Sequence, residues 1–203
     1  MPGTVKIDAF SHVRPRAYAE VVERLVGGAA GRLPGGRALS HPARDQRHPR
    51  LHPELDLPGL NVAQVFGWPF DTVIAMTCLI YGGVLDRFPN LTFITHHAGA
   101  GIPFFEQRMA THPGQAPQLK KPLLEYYRSF YVDSAIQGSI GGMQASYAFY
   151  GADRILFGTD MPYASANGDG NARQCIASID ALSTPPAEKA RMFGGNLLRL
   201  IGD

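Results

Sequence analysis

Ile155-Leu156-Phe157-Gly158-Thr159-Asp160-Met161-Pro162 is a short apolar run that leads into a carboxylate and is closed by proline. Such a run, set between helical patterns, describes a buried strand of a parallel sheet. Gly158-Thr159 before Asp160 and Pro162 after it make a constrained exit from that strand. A second segment of the same kind lies near the amino end, where Ile7-Asp8-Ala9-Phe10-Ser11-His12 also finishes on a residue able to bind metal. In a parallel β/α barrel the site is assembled where strands end. The two segments therefore read as the first and last strands around one site. A metal-binding first strand carries two inward ligands at alternate positions, and Phe10 takes one of those places here.

Working inward, residues 5–11 read as a strand with Asp8, Phe10 and His12 on one face, and 16–26 as a short helix. The Gly-rich stretch 27–36 is a junction, and 37–41 is a short strand closed by Pro42. Residues 41–58 carry Pro42, Pro49, Pro53 and Pro58 and are irregular. A helix is expected over 71–88 with Asp71 as its N-cap, ended by Pro89-Asn90. The rest alternates: strand 91–95 running into His96-His97, helix 103–109, helix 123–129, strand 130–132 ending at Asp133, helix 141–150, strand 154–158, then helices 171–182 and 186–200. This alternation indicates a parallel sheet with crossover helices, an α/β fold. It supplies about five strands, where a closed barrel needs eight. No internal repeat is visible.

Of 203 residues, 45% are hydrophobic and 18% charged, which fits one globular domain with a sizeable core. A formal net charge of +2 argues against nucleic-acid or membrane partners, and the cluster Arg44, Arg47, Arg50 reads as a solvated loop. Cys78 and Cys175 have no CxxC spacing and read as core thiols of a reducing compartment. The amino terminus lacks a basic-then-apolar signal, and the apolar stretch 73–85 is too short for a bilayer. A cytoplasmic protein is the expectation.

Seven histidines are present, and His12, His41, His96 and His97 each end an expected strand. Imidazoles with a carboxylate suit zinc, manganese or iron, and a catalytic zinc commonly has three protein ligands. His12, His41 and Asp160 would form such a set if their strand ends converge. A nearby imidazole would handle the proton, and His97 is the candidate. Adjacent His96 and His97 point to opposite faces of an extended strand, so only one faces a site. His48, His52 and His112 read as surface residues, and Asp133 as a cap or a supporting partner. No phosphate loop, GxSxG elbow or dinucleotide fingerprint occurs.

Gly67-Trp68-Pro69-Phe70-Asp71-Thr72, Gly83-Val84-Leu85-Asp86-Arg87-Phe88-Pro89-Asn90-Leu91, Thr95-His96-His97-Ala98-Gly99 and Leu156-Phe157-Gly158-Thr159-Asp160-Met161-Pro162-Tyr163 together resemble the amidohydrolase-related proteins (amidohydrolase family 2). Within that group the chain is similar to the branch of aminocarboxymuconate-semialdehyde decarboxylase and the resorcylate-type decarboxylases. The resemblance implies a metal-dependent hydrolase-type (β/α)8 TIM barrel with one divalent metal, zinc or manganese. Its ligands would be His12, His41 and Asp160, with His97 catalytic alongside Asp160 and with Trp68 and Tyr163 against the substrate.

Two departures stand out. Phe10 replaces the first histidine of the family's His-x-His pair. Between about Val26 and Arg37 the chain passes from the family's first helix to its fifth strand, so strands two to four are missing from the expected barrel. The domain is then 1–203, divided into 1–26, the junction 27–36, and the fifth to eighth βα units over 37–203. The implied activity is decarboxylation of a small aromatic or unsaturated carboxylic acid through metal-activated water. The alternatives are hydrolysis of a lactone or amide by the same site, or a degenerate chain without catalysis. Open sheet edges in such a chain also imply a homo-oligomer.

Overall fold

The computed structural model describes residues 63–112, 118–161 and 169–202, all within one compact unit. Its centre is a parallel sheet of β1 (Ile94–Thr95), β2 (Tyr131–Asp133) and β3 (Ile155–Leu156), in that spatial order. Ile94 pairs with Tyr131 and Thr95 with Val132, while Val132 pairs with Ile155 and Asp133 with Leu156. This register brings the residues that follow each strand out side by side at one end. β2 and β3 are buried throughout, as strands covered on both faces require. β1 leaves Ile94 43% exposed.

The expected strands at 5–11 and 37–41 lie outside the described residues. So do Phe10, His12, His41, Tyr163 and the junction 27–36, and with them the question of strands two to four. The paired ladders are shorter than the extended runs expected at 91–95 and 154–158, because pairing needs a neighbour in register as well as apolar sequence.

A widened helical turn, Ala63–Gly67, runs into α1 (Trp68–Tyr81), and α2 (Val84–Arg87) follows. The expected single helix over 71–88 is therefore two. Gly83, at φ 68°, adopts the left-handed conformation that ends helices. Arg87 donates from Nη2 to the Gly82 carbonyl at 3.0 Å. Asp71 is not the N-cap. The turn Ala63–Gly67 is already helical and α1 begins at Trp68, three residues before Asp71, which leaves Asp71 inside the first turn of α1.

Between β1 and β2 come a tight turn at Pro103–Phe105, α3 (Glu106–Thr111) and α4 (Leu123–Arg128). Between β2 and β3 lies α5 (Ile140–Tyr150), where Ser139 accepts a hydrogen bond from the Gly142 amide as N-cap. After β3 come α6 (Asp169–Asp180) and α7 (Pro186–Ala190), then a widened turn at Arg191–Gly195 that passes into α8 (Asn196–Ile201). No helix among the described residues is long and apolar enough to cross a membrane.

The core gathers around the sheet, with Phe130, Val132, Ile155, Met143, Ile179 and Phe193 all buried. Cys175 belongs to it, and burial, aided by the Asp133 charge, pushes its thiol up to about 11. Cys78 does not. It is exposed on α1, contrary to the expectation of two core thiols, because the helix turns that position away from Met76 and Ile80.

Asn196 is wholly buried, and its Nδ2 donates to the carbonyls of Ala152 at 2.7 Å and Ile155 at 2.8 Å. One amide thus ties α8 to the start of β3. Asn196→Ala would leave two buried carbonyls without a donor, and is expected to lower stability in urea unfolding by about 2–4 kcal/mol. A loss below about 0.5 kcal/mol would show that the carbonyls find other donors.

Candidate functional site

Three strand exits stand together at one end of the sheet, and the exit of β2 binds both neighbours. Asp133, the last residue of β2, is fully buried. Its Oδ1 accepts from the backbone N–H of His97 at 2.8 Å and of Ala135 at 2.9 Å. Its Oδ2 lies 3.4 Å from His96 Nδ1. Ser134 is also fully buried. Its hydroxyl donates to the Gly158 carbonyl and accepts from the Gly158 N–H, both at 3.0 Å. Asp133 therefore ties β2 to the exit of β1, and Ser134 ties it to the exit of β3.

The backbone at these exits is unusual. His97, Ala98, Ala100 and Asp160 all have positive φ, between 54° and 59°. Non-glycine residues rarely adopt this region, and such outliers persist where surrounding structure holds them and cluster at functional sites. Here the holding bonds are visible. The Ala100 N–H donates to the His97 carbonyl at 2.8 Å, and Gly99 continues the turn at φ 76°. Tyr150 from α5 fills the space beside Gly99, so a Cβ at that position would lie 2.3 Å from the tyrosine oxygen.

Of the residues singled out in the sequence, His97 is half-buried, with Nδ1 2.6 Å from the Ala135 carbonyl oxygen. The His96 side chain is 49% exposed, and its ring centroid lies 6.1 Å from that of His97. His97 stands beyond β1 at φ 56°, so the extended-strand geometry expected to send the pair to opposite faces does not reach His97. Asp160 is half-buried at its left-handed exit, next to buried Thr159, whose hydroxyl accepts from the Met161 N–H at 3.3 Å. Trp68 is half-buried at the start of α1, a helix that packs against the His97–Gly99 turn. His112 is exposed at the end of α3, as expected of a surface residue. His12, His41 and Tyr163 are outside the described residues. Among the described residues no three His, Cys, Asp or Glu side chains gather into a metal-holding group. Asp160 is the only member of the expected ligand set that falls within them.

Ser134 was not expected at the site. A signal existed: within residues 130–135 the adjacent polar pair Asp133-Ser134 interrupts an otherwise apolar, wholly buried run. Two polar residues side by side in such a run need partners on both sides of the strand.

A family model described as amidohydrolase matches residues 11–202. The chain is 32% identical over 140 residues to the 6-methylsalicylic acid decarboxylase of Penicillium expansum, across 67% of this chain and 42% of that protein. It is 30% identical over 141 residues to the 2-amino-3-carboxymuconate-6-semialdehyde decarboxylase of Dictyostelium discoideum, across 67% of this chain and 38% of the relative. The chain thus spans about two fifths of the length of the curated relatives it matches. Among solved structures it is similar to a dihydroxybenzoic acid decarboxylase from Polaromonas sp. JS666 with bound manganese and the inhibitor 2-nitroresorcinol. That likeness has a TM-score of 0.56 at 23% identity, over 68% of this chain and 44% of the other, and it speaks to the fold.

Proposed function

The chain belongs to the amidohydrolase family, and from that premise we propose that it is a metal-dependent carboxy-lyase acting on a small aromatic or unsaturated carboxylic acid. One observation supports this above the others. Asp133 and Ser134 tie the exit that carries His97 to the exit that carries Asp160, and backbone strain is concentrated at both. The two decarboxylases it resembles are named for substrates that carry a carboxyl group on an unsaturated frame.

His12, His41 and Asp160 would hold one divalent ion. Two imidazoles and a carboxylate are a donor set suited to zinc or manganese, and Asp160 offers its carboxylate from a half-buried strand end. When bound, the ion supplies a Lewis acid beside the substrate oxygens. The chain's own residues do the rest. Trp68 and Tyr163 seat the unsaturated frame. The bond between the frame and the carboxyl carbon breaks, carbon dioxide leaves, and the electron pair stays on the frame. His97 takes a proton from water and passes it to the carbon that the carboxyl leaves, so hydrogen replaces the lost group. Phe70 and Ile74 on α1, together with Ile94 on β1, an outer strand of the sheet among the described residues, are exposed, which favours a homo-oligomer as the working form.

The test is direct. Protein expressed with zinc or manganese is expected to carry about one metal equivalent per chain, and to release carbon dioxide from 6-methylsalicylate or 2,6-dihydroxybenzoate. Turnover of a lactone or amide with no gas released would move the reading to hydrolysis. Metal-loaded protein inert toward both acids would overturn it.

A further inference from the structure

We propose that Asp133 is a positioning residue for His97, and that its carboxylate sets both the backbone turn and the ring tautomer of that imidazole. The inference rests on the reading in which His97 handles the proton.

A single oxygen makes both connections. Asp133 Oδ1 receives the N–H of His97 itself, which holds that residue at a φ of 56°. The same oxygen receives the N–H of Ala135, which fixes the alanine whose carbonyl then meets His97 Nδ1 at 2.6 Å. A carbonyl oxygen can only accept, so Nδ1 of the neutral ring must be the donor. Nε2 then keeps the lone pair and is the basic nitrogen. The bonds close a loop: from the His97 amide to the carboxylate, on to Ala135, and back to the His97 ring.

Burial makes this arrangement stringent. Asp133 is wholly shielded, so water does not compete with the two amides for its Oδ1. Its other oxygen lies 3.4 Å from His96 Nδ1, which leaves Oδ1 as the oxygen that meets the two amides. A simple strand-end cap would need only the Ala135 bond. The second bond, to a residue thirty-six positions earlier in the chain, is what links the carboxylate to the imidazole.

The tautomer can be read without any assay of activity. Full-length protein labelled with 15N at histidine would be compared as wild type, Asp133→Ala and Asp133→Asn, with His97→Gln used to assign the His97 signals. In the wild type the proton should reside on Nδ1, with Nε2 unprotonated. Asp133→Asn keeps an oxygen that accepts both amides and should preserve this pattern. Asp133→Ala should release the ring into a mixture of tautomers.

In the carbon dioxide assay, Asp133→Ala should lower kcat by about 10-fold or more with KM nearly unchanged, and Asp133→Asn should recover most of it. A wild-type proton on Nε2, or a folded Asp133→Ala with an unchanged tautomer, would overturn the proposal. So would a folded Asp133→Asn that loses the wild-type pattern. Should Asp133→Ala fail to fold, the wild-type and Asp133→Asn spectra decide alone. The expected tautomers without carbon dioxide release would sink the carboxy-lyase reading and leave the positioning role standing. Turnover with the wrong tautomer would do the reverse.

Discussion

Gly99→Ala is expected to destabilise the protein by about 2–5 kcal/mol, which for a marginally stable domain is a large share of the total. Two costs add. At φ 76° an alanine pays about 1–2 kcal/mol for the left-handed backbone. Its Cβ would also lie 2.3 Å from the Tyr150 oxygen and 2.7 Å from Cε2, and forcing bulk into a packed site costs about 1–3 kcal/mol. The tyrosine has little room to retreat, being buried with its ring packed edge-on against Phe149 at 4.7 Å.

Its hydroxyl is buried without a hydrogen-bond partner, and burial raises its pKa well above the usual tyrosine value. Tyr150→Phe alone is therefore expected to be neutral or mildly stabilising. In the Gly99→Ala background it should restore part of the loss, a coupling that a double-mutant cycle in urea would measure. Gly99→Ala within about 0.5 kcal/mol of wild type would show that the His97 turn relaxes freely.

Asp160→Asn is expected to leave the fold intact and to lower metal occupancy and carbon dioxide release by at least about 100-fold. Asparagine is nearly isosteric and, like aspartate, tolerates a φ of 59°. Thermal unfolding should therefore hardly move while elemental analysis shows the metal lost. Asp160→Ala would mix that loss with backbone strain, which is why asparagine is the cleaner probe. Full metal retention in Asp160→Asn would remove Asp160 from the ligand set.

The local signals that announced strands and helices were strong where one residue type forces one conformation. Apolar runs that close on His97, Asp133 and Asp160 marked the three strand exits, and the pairing register then set those exits side by side. Pro103, Pro122 and Pro186 stand at or just before helix starts close to those expected. Boundaries failed where two signals competed. Asp71 resembles a cap, yet the helical turn over Ala63–Gly67 has already led into α1 at Trp68. Gly82-Gly83 break a pattern whose apolar period runs through them.

The ties at the site were harder to read, because they depend on distance in space. Nothing near Asp133 in the chain indicates that its partner is the amide of His97. Nothing near Gly99 points to Tyr150, and nothing near Asn196 points to the carbonyls of Ala152 and Ile155. Such partnerships appear once the sheet is paired, and single polar residues in apolar runs are the trace they leave in sequence.

The stitching of three strand exits by Asp133 and Ser134 has an evolutionary side. Ladder bonds between strands use backbone alone and survive almost any change of side chain. The ties at the mouth survive only while two adjacent codons specify a carboxylate and a hydroxyl. Drift at those two codons could loosen the mouth while the sheet beneath it stayed whole, and reversion could tighten it again. The stiffness of the mouth is in that sense an inherited trait separable from the inheritance of the fold.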